Sequence, residues 1–115
     1  MAEYCKAVLD GRLNFHINVV NQVSPYCDCH SENDAAVVGD IGIFAGFDPV
    51  ALDKACIDAV NAAPGLADSI LSDKKKKDGE DHFTAIHPTT DWRVQLSHAE
   101  KIGLGTTKYE LITVK

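Results

Sequence analysis

Two cysteines one residue apart, Cys27 and Cys29, lie in the polar, proline-containing run Ser24-Pro25-Tyr26-Cys27-Asp28-Cys29-His30-Ser31. The thiolate is the form that binds metal, and thiols spaced i and i+2 reach the same side of an extended loop. With Asp28 between them, ionising both thiols is costly unless a cation compensates. Zinc or iron would do so, with Cys27, Cys29, the adjacent His30 and, across the sheet, His16 as the ligand set. Structural zinc and iron–sulfur sites usually take four protein ligands in paired Cys-x-x-Cys spacing, and this chain offers Cys-x-Cys. A redox dithiol and a polar loop whose thiols pack locally therefore stand beside the metal reading. Cys5 and Cys56 sit on apolar helical stripes, where a thiol behaves as a small hydrophobe.

Two carboxylates suggest a second chemistry. Asp40 interrupts an otherwise apolar strand pattern, and Asp48 follows a short turn beyond that strand's end. As cleft carboxylates near a sheet edge they would hold a divalent ion or exchange protons, in an enzyme domain that also uses His16 and the loop thiols. The structural alternative for Asp48 is a helix N-cap, with Pro49 as the first helical residue. His82, His87 and His98 have no partner that spacing identifies; the first two fall in loop-like sequence and His98 on the surface of the last helix.

Between Leu13 and Asp53 there is no lysine or arginine, while Asp28, Glu32, Asp34, Asp40, Asp48 and Asp53 are all acidic. Such a stretch attracts cations and repels phosphate or carboxylate substrates. The whole chain of 115 residues carries a net charge of −6, which argues against a broadly basic nucleic-acid binder. Leu, Ile, Val and Phe make up about 26% of it, enough for a packed core rather than disorder. No run approaches the roughly 18 apolar residues of a membrane span, and no secretory leader pattern opens the chain. A cytoplasmic protein with reduced thiols is expected, without nucleic-acid or membrane partners.

The elements that must position these residues read as one α/β domain over 1–115. The spacing of Met1, Cys5, Val8 and Leu9 predicts a first helix with no capping residue before it, stable only if it packs on something and suggestive of a piece of a longer protein. Leu13, Phe15, Ile17 and Val19 alternate with Asn14, His16 and Asn18, predicting a strand whose apolar face is buried. Residues 37–45 predict a second strand covered on both faces. Asp48-Pro49 opens a helix with the stripe Leu52, Ala55, Cys56, Ala59 and Val60. A short helix over 66–72 points Leu66, Ile70 and Leu71 inward, and the charge run 74–81 reads as a solvated loop. Thr89 or Thr90 caps a last helix lined by Trp92, Leu96, Ala99 and Gly103, and residues 109–114 alternate as a closing strand. The sum is a small mixed sheet of about three strands covered by three or four helices.

Tyr26-Cys27-Asp28-Cys29, followed by Asp40-Ile41-Gly42-Ile43 and Asp48-Pro49-Val50-Ala51-Leu52-Asp53, resembles the uncharacterised proteins grouped as domain of unknown function 362. The resemblance runs from Met1 through the segment 99–105 to the closing strand and corresponds to the family's C-terminal portion. Members commonly carry a ferredoxin-type insert with two four-iron, four-sulfur clusters. The cluster-binding Cys-x-x-Cys-x-x-Cys run is absent here, so the resemblance implies clusters only in a part of the architecture outside this chain. It also implies partnership with the remainder of a full-length protein. Homodimerisation through an apolar outer side of the first helix is the expectation if the chain is a purely structural or docking module.

Overall fold

The computed structural model describes residues 1–27, 29–73 and 81–114. Asp28 and most of the charge run 74–81 therefore lie outside the described residues. Among those described, five helices and one two-stranded sheet form: α1 (Ala2–Leu9), β1 (His16–Val20), β2 (Gly42–Gly46), α2 (Pro49–Ala62), α3 (Ile70–Asp73), α4 (His82–Ile86) and α5 (Arg93–Lys101). The fold is mixed α/β, with two strands rather than three. The Ile41 N–H donates to the Val20 carbonyl at 2.9 Å and the Phe15 and Phe47 rings meet at 5.1 Å, so β1 and β2 run antiparallel. The chain divides into two compact units, one comprising Met1–Val19, Ile43–Ile57 and Trp92–Lys115, the other Val20–Gly42 and Asp58–Asp91.

In the first unit, α1 packs on α5. Its start has no side-chain cap, as expected, and Ala2 is buried with Val50, Leu96 and Ala99 in a core flanked by Ile57, Trp92, Ile102 and Leu104. Two polar contacts tie it down: Lys6 Nζ donates to the Gly103 carbonyl at 3.2 Å, and His98 Nε2 lies 3.2 Å from Glu3 Oε1. Packing of this kind supplies what an isolated eight-residue helix lacks. α5 ends as the glycines predict. Gly103 takes φ +72°, its N–H bonds the Glu100 carbonyl and the Leu104 N–H bonds that of Ala99, a Schellman closure. Its start differs from expectation: Trp92 precedes the helix without a side-chain cap, and the Thr90 hydroxyl bonds the His87 carbonyl instead.

β1 reverses the expected facing. Leu13, Phe15, Ile17 and Val19 are 106%, 55%, 61% and 58% exposed, whereas Asn14, His16 and Asn18 are half-buried. The reason is that α2 lies over the amide side of the strand, where Asn18 Nδ2 donates to Asp53 Oδ1 at 3.2 Å and to Cys56 Sγ at 3.5 Å. β2 is likewise not covered on both faces, since Ile43 is 71% exposed. The closing strand does not form; residues 109–114 are irregular and exposed, having no neighbouring strand to pair with.

In the second unit Val37 and Val38 are fully buried. The Val37 N–H donates to the Val23 carbonyl, its carbonyl accepts the Leu66 N–H, and Val38 bridges to Gly65. α3 packs on α4, burying Leu71 and Ile86; Leu66, expected inward, is 41% exposed. α4 occupies sequence read as loop. Asp81 caps it, accepting from the Thr84 N–H at 2.8 Å and its hydroxyl at 3.0 Å. His82 is buried, its ring Nε2 donating to the Ala63 carbonyl at 2.8 Å.

Candidate functional site

The Cys27–Cys29 loop belongs to the second unit and is anchored on its N-terminal side. The Ser24 hydroxyl donates to the Tyr26 carbonyl at 2.9 Å, and His87 Nε2 donates to the carbonyl of buried Pro25 at 2.6 Å. A carbonyl only accepts, so that contact places the proton on Nε2. The Tyr26 ring meets His87 edge-on at 5.8 Å and His30 at a tilt at 5.4 Å. Beyond Tyr26, the His30 N–H returns to the Cys27 carbonyl at 2.9 Å, closing a tight turn. Both thiols are solvent-exposed. The neighbouring Cys27 side chain, first as a hydrogen-bond partner and then through its charge, pushes the Cys29 thiol above its ordinary value. Two coupled thiols release their protons in two separated steps that belong to the pair.

His30, next to the pair, turns Nδ1 toward Glu32 Oε1 at 3.6 Å. The Ser31 hydroxyl, the backbone and then His30 hold the Glu32 carboxyl below its usual range. His16 belongs to the other unit, where its Nε2 donates to Asn14 Oδ1 at 2.8 Å. A structural zinc takes four protein ligands, of which this pair would offer two. Among the described residues, no group of three or more His, Cys, Asp and Glu side chains gathers as a metal site.

The two carboxylates have local work. Asp40 Oδ1 accepts the N–H of Gln22, which takes φ +45°, and so clamps a left-handed turn after β1. Asp48 Oδ1 accepts the N–H groups of Val50 at 2.9 Å and Ala51 at 3.1 Å, the N-cap arrangement, while Oδ2 accepts the Thr106 N–H at 2.8 Å. A further cavity of about 150 Å³ in the first unit is mainly apolar, with Cys5 and Asp53 in its wall beside Val50, Leu96 and Leu104.

Sequence reasoning missed His87 as the anchor of the thiol loop. It stands 62 residues from Pro25, a separation no local pattern reports.

A family model described as a domain of unknown function, DUF362, matches residues 1–58. The chain belongs to the DUF362 family. The match takes in α1, β1, the Cys27–Cys29 loop, β2 and most of α2, and it stops short of the 99–105 segment included in the resemblance. No curated protein and no solved structure matches this DUF362 chain. No helix among its described residues is long and apolar enough to cross a membrane.

Proposed function

We propose that Cys27 and Cys29 of this DUF362 protein form a two-thiolate half-site in an iron–sulfur-associated protein, binding zinc or iron or facing a cluster held elsewhere in the protein. The observation that carries the reading is the pair of free, exposed thiols on a loop pinned by His87 and Ser24. Two sulfurs already adjacent and exposed need little rearrangement to share one cation. Binding displaces their protons, which makes affinity rise with pH. His30 is the nearest further donor, and the remaining ligands come from outside the described residues, including a ferredoxin-type part of the protein. A cytoplasmic setting, which keeps thiols reduced, suits this reading. The test is elemental analysis of protein purified anaerobically without chelator. About one zinc or iron per chain is expected, lost in Cys27→Ser/Cys29→Ser. Metal at background level, even after anaerobic reconstitution, would overturn metal binding by the pair.

A docking module is the second reading, favoured by the outer side of α1, where Met1, Tyr4 and Val8 are 91%, 82% and 59% exposed. Loss of partner binding or dimerisation in Tyr4→Lys, with metal content unchanged, would support it.

A further inference from the structure

The uncovered side of the two-stranded sheet is built as a surface. Phe15 and Phe47 meet edge to face at 5.1 Å, and Ile17, Val19 and Ile43 continue the same apolar side, with Leu13 at its end. All six side chains belong to the first unit, and each is more than half exposed. Neither 13–20 nor 41–47 contains Lys, Arg, Asp or Glu.

We propose that this face is a self-association surface, on which a second copy of this chain lays the same face. Two aromatic side chains of on the order of 150–250 Å² each and four aliphatic ones of roughly 60–120 Å² each, at the exposures of these residues, present on the order of 400–700 Å². That reaches or passes the roughly 300–600 Å² of the largest apolar patch on an ordinary monomer and supplies the larger part of the ~800 Å² per partner that a stable interface buries. An isologous pair requires only the same patch on both copies, and a face without charge offers nothing to select a charged partner. Two such sheets stacked face to face, about 10 Å apart, make a two-layer sandwich with Phe15 and Phe47 of both copies at its centre. The inference is independent of the thiol half-site, because it uses none of the same residues.

The test is sedimentation equilibrium of the 115-residue chain from low micromolar to submillimolar concentration, with chelator present so that metal bridging makes no contribution. The mass should rise from 12.4 kDa toward twice that value. Ile17→Lys and Phe47→Lys alter exposed side chains and should leave the circular dichroism unchanged while weakening association by about a hundredfold or more, since each places a charge in the contact. Should a lysine variant fail to fold, Ile17→Thr and Val19→Thr keep strand propensity and should still weaken association. A monomer at every concentration would overturn the proposal, as would a dimer untouched by these substitutions but lost in Tyr4→Lys.

Discussion

Removing the Asp48 carboxylate should destabilise the first unit by about 2 kcal/mol. Its Oδ1 caps α2 through Val50 and Ala51, a role whose loss to alanine costs about 1 kcal/mol. Its Oδ2 holds the Thr106 N–H, a second bond of about 1 kcal/mol. For a chain of this length that sum lowers the melting temperature by roughly 8 °C. Gly105 supplies an independent handle on the same group: a Cβ there would overlap the Asp48 carboxylate, so Gly105→Ala should displace it and reproduce much of the loss. The two effects must not add. Once Asp48 is alanine, the added methyl has room, and the double-mutant cycle should show coupling of about 1 kcal/mol or more. Urea unfolding followed by circular dichroism measures the stabilities, and hydrogen exchange at the Val50 and Ala51 amides reports the cap directly. A loss below about 0.5 kcal/mol for Asp48→Ala, or strict additivity with Gly105→Ala, would refute this reasoning and return Asp48 to candidacy as a site carboxylate.

Other consequences concern protons. Glu100 accepts the Thr107 N–H at 2.5 Å and its hydroxyl at 2.8 Å, and these bonds lower its pKa. Folding lowers that pKa, so the tail anchor is intact above the ordinary carboxylate range and is lost as pH falls through the lowered value; the Thr107 amide resonance should follow that titration, and Glu100→Gln should abolish it. An amide shift unmoved down to the acid limit would count against the anchor. Among the thiols, Cys27→Ala should accelerate alkylation of Cys29 at mildly alkaline pH by removing the neighbouring thiol and its charge. Burial, and secondarily the Asp53 charge, raise the Cys56 thiol against a lowering contribution from Asn18, so Asn18→Ala should slow Cys56 further. Mass spectrometry of timed alkylation reads both rates, and a Cys29 rate unmoved by Cys27→Ala would contradict the coupled pair.

What was legible in the chain was what neighbouring residues decide. Asp48-Pro49 encodes the start of α2 because cap and first-turn geometry are local, and Gly103 encodes the end of α5 for the same reason. The alternation of 13–19 correctly marked a strand, yet it could not say which face α2 would cover; that was decided by Asn18 reaching Asp53 and Cys56, some 35 residues away. Residues 109–114 alternate equally well and form no strand, because alternation describes a side-chain period and a strand also needs a partner. The five residues of α4 are too few to show a helical period, although Asp81 and Thr84 carried its cap. At the candidate site, the thiol pair was visible as Cys-x-Cys, while its clamp by His87 belongs to tertiary structure alone.

The central claim is that Cys27 and Cys29 act together on one cation. Cobalt(II) titration of anaerobic, reduced protein, read at the ultraviolet sulfur-to-cobalt charge-transfer band, tests it most directly, because the band counts thiolate ligands. The account predicts a saturable band that roughly halves in Cys27→Ser or Cys29→Ser, vanishes in the double variant and strengthens with rising pH. A band absent from the unmodified protein, or one of equal intensity in the double variant, would contradict it.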